Sequence, residues 1–417
     1  MANAGGDVLI LGGGVIGLAC AWYLLGEGRQ VTVLEQGQPG HGASHGNCGT
    51  LTPSHAPPLP MPGLVGTALK WLFKPDAPLR IRPRPDPALL RWLFGFAGRC
   101  NWDDFHRGTA LKAPLLLRSC ELIAGLVREQ RLDCEYRHDG TLYVYRDAAA
   151  FEASAWLLDA LGAVGVPVER LDGAALAACE PALLPGMAGG YRHPADAHLR
   201  PDRYVAELAR IVREAGGVIE TEARIESIER DGRRIGRVRT TRGDYAGREV
   251  VLALGAWSPL LARQLGLRLP IQPGKGYSIT YARPALCPTL PMVLRERSVC
   301  VTAWSSGYRL GSTMEFSGYD ARLNRVRLDA LRRGAAEYLR EPEGPAVEQT
   351  WYGWRPMTPD DQPILGRAPG LDNLTLATGH GMLGVTLSAV TGQLIAELLS
   401  GRAPSLDLAP FSPARFS

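Results

Sequence analysis

Three glycines near the start of the chain have the spacing that holds a phosphate group. Gly12, Gly14 and Gly17 follow an apolar run, residues 8–11, that is typical of a buried parallel strand. In a G-x-G-x-x-G motif the first glycine allows a tight turn and the second lets the backbone approach a pyrophosphate. The third lets the helix pack closely on the strand. Glu35, 18 positions after Gly17, falls where a ribose 2′-hydroxyl would be bound. We therefore predict a dinucleotide site; the alternative is a glycine-rich turn without a function.

A second candidate is an arginine placed to bind a carboxylate. Arg355 follows a strand-like run that ends at Trp354, and Pro356 and Pro359 are expected to end the strand. The planar fork of guanidinium donors matches both oxygens of a carboxylate, and such a charge-assisted pair contributes about 1.5–3 kcal/mol. The alternative is that Arg355 pairs with a nearby acid, Asp360 or Asp361.

A third candidate is a glycine loop near the C-terminus. A strand that begins at Leu374 runs into Gly379-His380-Gly381 and then into an amphipathic helix. Glycine at these positions permits a positive φ. We predict that the helix begins near Gly384, where its positive end would stabilise the negative charge that develops at N1 and O2 of a reduced isoalloxazine. The alternative is an ordinary strand-to-helix turn.

The elements that must position these residues are spread along the chain. Residues 7–36 read as one β-α-β unit, and apolar strands of the same type recur in the middle and at the end of the sequence. The cofactor domain must therefore be assembled from separated segments, with insertions between them. The predicted division is a cofactor domain of residues 1–51, 192–265 and 355–417, and a substrate domain of residues 52–191 and 266–354.

Two segments of the predicted substrate domain have distinctive patterns. Residues 136–145 read as a β-hairpin with its turn at His138-Asp139-Gly140. Residues 52–63 form an apolar loop rich in proline, which is either a rigid connector, an active-site lid or a contact with a membrane surface.

Composition excludes several classes of function. The net charge of +4 over 417 residues is too small to indicate nucleic-acid binding. Eight cysteines are scattered without metal-like clustering, so we expect reduced thiols and no metal site. No uninterrupted run of 18 apolar residues occurs, and the first strand begins within a few residues of the start. We expect a cytoplasmic protein, with peripheral contact at the inner face of a membrane as an alternative.

Six segments occur in an order that is shared with a known family. They are Gly12-x-Gly14-x-x-Gly17 with Glu35, Ser44-His45-Gly46-Asn47-Cys48-Gly49, Ala253-Leu-Gly255-Ala-Trp257-Ser258, Lys275-Gly-Tyr277-Ser278, Trp354-Arg355-Pro356 and Gly379-His380-Gly381. The chain resembles the FAD-dependent amine and amino-acid oxidoreductases of the D-amino-acid oxidase fold, and is most similar to the bacterial D-amino-acid dehydrogenase branch. The resemblance implies a mixed α/β (α+β) fold. A Rossmann-like FAD-binding domain of the glutathione-reductase type would join an antiparallel-sheet substrate domain.

The resemblance also implies which residues bind FAD. Residues 44–51 would run along the flavin ring, the backbone of Ile225 would meet the adenine side, and residues 381–386 would hold the pyrimidine edge. Ala253, Gly255 and Trp257 would close the pyrophosphate side. The whole predicted set is Gly12, Gly14, Val15, Ile16, Gly17, Glu35, Gln36, Ser44, His45, Asn47, Cys48, Gly49, Leu51, Ile225, Ala253, Gly255, Trp257, His380, Gly381, Met382, Leu383, Gly384, Val385 and Thr386.

Three residues are implied at the substrate. Arg355 would hold the substrate carboxylate, and Tyr277 would be a second carboxylate contact. His55 would contact the polar part of the substrate, at a place where the dehydrogenase branch tends to have an aromatic hydroxyl. The alternatives are a core aromatic for Tyr277, as also for Trp257, and a solvated loop histidine for His55.

The implied reaction oxidises a C–N bond. A small D-amino acid or cyclic imino acid would pass a hydride from Cα to flavin N5, and the electrons would go to a quinone or another carrier. An amino-acid or sarcosine-type oxidase using O2 is an alternative, and among the lysines only Lys275 could serve near the flavin as oxidases require. D-proline or hydroxy-D-proline is a candidate substrate. A NAD(P)-linked dehydrogenase and a non-catalytic flavin-binding subunit are the other readings.

Overall fold

The computed structural model describes residues 6–71 and 77–416. Within those ranges the helices are α1 Val15–Gly26, α2 Leu64–Trp71, α3 Pro87–Gly98, α4 Trp102–Glu129, α5 Ala148–Ala153, α6 Trp156–Gly162, α7 Gly173–Cys179, α8 Pro201–Glu214, α9 Ser258–Gln264, α10 Arg325–Ala336 and α11 Ser388–Leu399. The strands are β1 Val8–Leu11, β2 Val31–Leu34, β3 Thr50–Leu51, β4 Leu79–Ile81, β5 Thr141–Tyr145, β6 Glu169–Asp172, β7 Gly189–His193, β8 Ala197–His198, β9 Val218–Glu220, β10 Ile225–Asp231, β11 Arg234–Thr240, β12 Gly243–Tyr245, β13 Glu249–Leu252, β14 Gln272–Tyr281, β15 Met292–Leu294, β16 Val299–Trp304, β17 Gly307–Phe316, β18 Val347–Met357, β19 Ile364–Arg367 and β20 Leu374–Thr378.

A six-stranded sheet gathers strands from the start, the middle and the end of the chain. Its order is β19-β20-β13-β1-β2-β9, and every pair is parallel except β19 with β20. All four residues of β1 and of β2 are buried, as expected for a parallel strand covered on both faces. The β-α-β unit that the glycine motif predicts is present as β1, α1 and β2.

The two faces of this sheet are covered by different elements. Val8 and Ile10 of β1 face a helical layer that contains α1, α8 and α11. Leu9 and Leu11 face the other way, towards the antiparallel meander of β10, β11 and β12. Successive side chains of a strand point to opposite faces, so an unbroken apolar run is what this two-sided burial requires.

A nine-stranded, mostly antiparallel sheet forms the second layer system. Its order is β18-β14-β17-β16-β15-β5-β7-β6, with β4 added alongside β17. Strand β14 is buried at all ten positions, and β17 and β18 pair with its two edges. The mixed α/β fold, with a Rossmann-like sheet and an antiparallel sheet, is thus as predicted.

The hairpin predicted over residues 136–145 is wrong. Strand β5 begins at Thr141 and pairs with β7 and β15, which are distant in sequence, and Arg137 only bridges His198. Gly140 has a φ of +87° and donates its N–H to Asp196, so it makes a bend into the sheet rather than a tight turn. A buried strand gains more from two long-range partners than from one local neighbour.

No helix in the described part of the chain is long and apolar enough to cross a membrane. Helix α4 is the longest, but it carries charged residues along its length.

Candidate active site

A large cavity of about 1350 Å³ lies where the two sheets meet. Glu35 and Ile225 line one end, and Arg355 lines it on the side of the nine-stranded sheet. It is larger than the roughly 300–1000 Å³ that encloses a drug-sized ligand, so it has room for a large ligand and a small one together.

The glycine motif builds the wall of the cavity at the start of α1. Gly12 has a φ of +110°, and a Cβ there would lie 2.6 Å from the carbonyl oxygen of Ala253. A Cβ on Gly17 would lie 1.9 Å from the oxygen of Gly12, so only glycine allows the helix this close to the strand. A Cβ on Gly14 would meet nothing nearer than Ser44 Oγ at 3.7 Å, and Gly14 lines the cavity. Gly14 therefore leaves open the space that a bound pyrophosphate would occupy.

Two polar side chains organise this end. Glu35 accepts the N–H of Gly13 at 2.8 Å and the N–H of Gly37 at 3.0 Å, so its carboxylate ties β2 to the glycine turn. The hydroxyl of Ser44 accepts the N–H of Val15 at 3.2 Å. Because Gly14, the N-cap of α1, has no side chain, Ser44 satisfies a first-turn donor from a distant segment.

Hydrogen bonds hold residues 44–49 against the nine-stranded sheet. The buried Arg309 donates to the carbonyl oxygens of His45 and Asn47, at 3.2 and 2.6 Å. Ser278 donates to the carbonyl of Gly46 at 2.9 Å, and Asn47 Oδ1 accepts the N–H of Gly49. These bonds hold the segment at the boundary between the two sheets, along the cavity.

Arg355 has no acidic partner among the described residues. Its Nη1 donates to the carbonyl oxygen of Thr313 at 2.7 Å, and burial lowers the pKa of its guanidinium. The alternative of a pair with a neighbouring acid is wrong, because Asp360 binds Arg415 and Asp361 binds Lys112. Arg355 lines the cavity, so its guanidinium is available to form a charge-assisted hydrogen bond with the carboxylate of a ligand.

A glycine makes room for this guanidinium. A Cβ on Gly276 of β14 would lie 2.5 Å from Cζ of Arg355. The neighbouring Tyr277 also lines the cavity, and its hydroxyl donates to Glu315 at 3.1 Å. The Tyr277 hydroxyl is thus occupied by Glu315, which competes with the predicted contact to a substrate carboxylate.

His55 lies at the cavity rather than in solvent. Its Nδ1 is 3.4 Å from the hydroxyl of Tyr143, and burial, with Arg295 and Lys112 nearby, lowers its pKa to about 3. The imidazole is therefore neutral across the physiological range, and the alternative of a solvated loop histidine is wrong.

The C-terminal glycine loop lines the cavity, but its helix begins later than predicted. Helix α11 starts at Ser388, not near Gly384, because residues 384–387 form an irregular turn first. His380 is buried, bonds Thr391 through Nε2 at 2.9 Å, and its pKa falls to about 3 because burial disfavours the imidazolium. The positive end of α11 is therefore not at Gly384.

Most of the predicted cofactor residues line this cavity. Those that do are Gly12, Gly14, Val15, Ile16, Glu35, Gln36, Ser44, Asn47, Cys48, Ile225, Ala253, Gly255, Trp257, His380, Gly381, Met382, Leu383, Gly384 and Val385. Those that do not line it are Gly17, His45, Gly49, Leu51 and Thr386.

Several lining residues had no signal in the sequence. Tyr143, Arg295, Cys300 and Thr313 come from strands or strand ends that sequence patterns show only as buried and apolar. Arg309 does not line the cavity, but it does carry a signal, since a charged residue at a buried strand position needs a polar partner.

The cavity fits a large dinucleotide. A glycine-walled bend, an acidic residue, and a guanidinium that has no acidic partner among the described residues match a resident cofactor beside an anionic substrate. The FAD-dependent oxidoreductase family matches residues 7–398. The chain belongs to this family. FAD is therefore the cofactor, as predicted.

The chain is similar over its full length to two bacterial proteins named D-amino acid dehydrogenase. That of Rhizorhabdus wittichii is 36% identical over 415 residues, covering 98% of this chain and 100% of the relative. That of Agrobacterium fabrum is 36% identical over 418 residues, covering 99% and 100%. The predicted resemblance to this branch of FAD-dependent oxidoreductases is confirmed.

Solved structures of other enzymes share the fold of this chain. Glycine oxidase from Geobacillus kaustophilus superposes with a TM-score of 0.81 at 25% identity, covering 98% of both chains. L-proline dehydrogenase from P. horikoshii shares the fold, with a TM-score of 0.71 at 18% identity over 99% of this chain and 98% of that one.

Proposed function

We propose that this FAD-dependent oxidoreductase oxidises a D-amino acid or a cyclic imino acid, such as D-proline or hydroxy-D-proline, at the bond between Cα and nitrogen. The guanidinium of Arg355 lines the cavity and has no acidic partner in the described part of the chain, and this observation carries the proposal. The relatives named D-amino acid dehydrogenase support this substrate class. When bound, FAD supplies the two-electron acceptor for the reaction.

The residues that would hold FAD extend from one end of the cavity to the other. Gly14 and the first turn of α1 would meet the pyrophosphate, and Glu35 the ribose. Residues 44–48 and 380–385 would border the ring. In this proposal the cofactor domain comprises residues 1–51, 192–265 and 355–417.

Arg355 would fix the carboxylate of the substrate and so orient its Cα. Placing two reacting groups in a fixed geometry removes part of the entropic barrier, which is what a bidentate contact provides. His55, neutral and at the cavity wall, would face the amino group. Tyr277 would reach the carboxylate only by giving up its bond to Glu315.

We propose a quinone or another carrier as the electron acceptor. Among the described residues no lysine lines the cavity: Lys70 of α2 is not among the lining residues, Lys112 pairs with Asp361, and the Nζ of Lys275 donates to the carbonyl of Asp320. Lys74 lies outside the described residues. An oxidase of this fold would be expected to place a lysine near the flavin, so the distribution favours a dehydrogenase.

The cavity also opens beneath an apolar surface. Helix α2 has no buried residue, and Leu69 of α2 and Phe94 of α3 line the cavity although Phe94 is 77% exposed. Leu90 and Val65 extend the same surface. Exposed apolar area of this kind suits a peripheral contact with a membrane that contains the quinone.

Anaerobic titration with D-amino acids tests the substrate class. We expect the flavin absorbance of the holoenzyme to bleach with neutral or cyclic D-amino acids and not with the matching amines, which lack the carboxylate. Arg355→Leu should retain FAD and raise KM by about tenfold or more, since 1.5–3 kcal/mol is lost. Arg128→Leu, on an exposed helix surface, is the matched control. Equal bleaching by amines and amino acids would exclude the role of Arg355.

Reoxidation of the reduced enzyme tests the acceptor. We expect slow reaction with air and fast reaction with a soluble quinone; rapid reoxidation by air would make the protein an oxidase.

Sedimentation with anionic lipid vesicles tests the apolar surface. Phe94→Glu should reduce binding to vesicles, whereas Leu286→Glu, outside the cavity, should not.

A further inference from the structure

A carboxyl group is buried beside the cavity without a cation to neutralise it. Asp196 is fully buried, and no described residue forms an ion pair with it. Ser54 binds both carboxylate oxygens: Oδ1 accepts the N–H of Ser54 at 3.0 Å, and Oδ2 accepts its hydroxyl at 2.6 Å. The side chain of Thr141 also favours the ionised carboxylate. Burial raises the pKa of Asp196 to about 7, so this group changes its charge near neutral pH.

Hydrogen bonds connect Asp196 to the cavity. The hydroxyl of Tyr143 lies 3.3 Å from Ser54 Oγ and 3.4 Å from Nδ1 of His55. Ser54, Tyr143 and His55 all line the cavity, whereas Asp196 does not. These hydrogen bonds therefore form a chain that runs from a buried carboxyl, through two hydroxyls, to an imidazole at the wall of the cavity.

The ionised carboxylate sets the direction of every bond in the chain. Because Ser54 donates to Asp196, the Tyr143 hydroxyl must donate to Ser54 Oγ, and Nδ1–H of His55 must donate to Tyr143. Neutral His55 then carries its proton on Nδ1, and its Nε2 is left as an acceptor. No described residue bonds that Nε2, so the chain ends in a base.

The groups around the chain keep a proton from staying on His55. Arg295, which lies 4.9 Å over the Tyr143 ring, and Lys112 both lower the pKa of His55. His193, packed 4.3 Å from the Tyr143 ring, is itself held neutral by burial. Cys120 faces Asp196 from α4, and its pKa is raised, so it adds no charge there. Asp196 is thus the one anion at the end of the chain among the described residues.

We propose that Asp196, Ser54, Tyr143 and His55 form a proton relay that takes one proton from the substrate ammonium. The inference rests on the proposed function. Nε2 of His55 takes the proton from the –NH₃⁺ group, and Nδ1 gives its own to Tyr143. Tyr143 passes its proton to Ser54, and Ser54 passes its proton to Asp196. The substrate is left as a neutral amine with a lone pair, ready to lose hydride from Cα. After the product leaves, the proton returns along the same chain to water.

The relay needs Asp196 ionised, so it works only above the pKa of that carboxyl. We therefore expect kcat/KM to rise with pH through a limb near pH 7. Asp196→Asn removes the acceptor and also reverses the polarity of the chain, since the amide nitrogen now donates to Ser54. This variant should lower kcat/KM by about tenfold or more and lose the limb. Asp133→Asn, an exposed acid, is the matched control.

Ser54 and Tyr143 act through other residues and are positioning residues of the relay. Ser54→Ala should cause a similar loss of kcat/KM, whereas Ser54→Thr should retain activity because it keeps the hydroxyl. The double variant Ser54→Ala with Asp196→Asn should lose no more kcat/KM than either single variant. Should Asp196→Asn fail to fold, Ser54→Ala and Tyr143→Phe carry the same expectation. An unchanged pH limb in a folded variant of this set, or additive losses in the double variant, would overturn the relay.

Infrared difference spectra of the holoenzyme provide a readout that needs no turnover. The carbonyl stretch of a protonated carboxyl should titrate near pH 7 in the wild type and be absent in Asp196→Asn. If the flavin never bleaches with any D-amino acid, the proposed function fails. If it bleaches but the Asp196 band and the pH limb are missing, the relay alone fails.

Discussion

The glycine motif allows two substitutions with opposite expected effects. Gly14 and Gly17 are three residues apart in one helix start, yet one faces the cavity and the other faces the strand. We predict that Gly17→Ala damages the fold and leaves a secondary loss of FAD, whereas Gly14→Ala leaves the fold intact and damages FAD binding.

The magnitudes follow from the space at each position. A Cβ on Gly17 would be 1.9 Å from the oxygen of Gly12, so α1 would have to retreat by about 1.5 Å to reach contact distance. Overpacking of this kind costs about 1–3 kcal/mol, and the entropic gain from replacing glycine offsets only about 0.4–1 kcal/mol. For Gly14 the nearest atom is 3.7 Å away and φ is −76°, which alanine accepts.

Urea unfolding of the apoprotein and FAD titration separate the two effects. Gly17→Ala should unfold at a lower urea concentration, with a loss of about 2 kcal/mol. Gly14→Ala should unfold like the wild type, within about 0.5 kcal/mol, but raise the Kd for FAD tenfold or more, about 1.4 kcal/mol. Wild-type stability of Gly17→Ala, or wild-type FAD affinity of Gly14→Ala, would refute the reasoning.

Three further outcomes are expected. The folded protein keeps a proton on Asp196 up to about pH 7, whereas the unfolded chain loses it near pH 4. The free energy of unfolding should therefore fall by about 1.4 kcal/mol for each pH unit between pH 4 and 7. Urea unfolding of Asp196→Asn should lack this fall. Lys112→Met should cost about 3–5 kcal/mol by leaving Asp361 buried without its partner, and adding Asp361→Leu should recover part of the loss. A hydrogen bond from Cys300 lowers the pKa of the Cys48 thiol; iodoacetamide should therefore alkylate Cys48 more slowly at pH 7.5 in Cys300→Ala, and an unchanged rate by mass spectrometry would exclude that bond.

Local patterns predicted the β-α-β unit and the glycine loop because their determinants lie within a few residues. The hairpin over 136–145 failed for the opposite reason, since β5 takes both partners from more than 40 residues away. The start of α11 was placed too early because glycines mark where a helix can be interrupted and not where its first hydrogen-bonded turn forms.

From the residues alone, a pair between Arg355 and one of its nearest acids in the sequence, Asp360 or Asp361, was the favoured interpretation, and the resemblance implied the substrate contact instead. In the folded protein Asp360 pairs with Arg415 and Asp361 pairs with Lys112. The guanidinium of Arg355 lines the cavity instead. An ion pair requires two charged groups that are close in space. Residues five positions apart in the sequence can point their side chains in different directions, so their distance in sequence does not predict the pair.

The sequence by itself determined the family, the FAD cofactor and the two-sheet architecture. Spaced glycines and unbroken apolar runs are recognisable from local order, and six such segments in the order of a known family carry the resemblance that implies the rest. Only the tertiary structure decided which charges stay unpaired and which polar groups touch. Ser54, Tyr143 and Asp196 are separated by 89 and 53 positions, and their hydrogen bonds exist because three different elements converge beside one cavity.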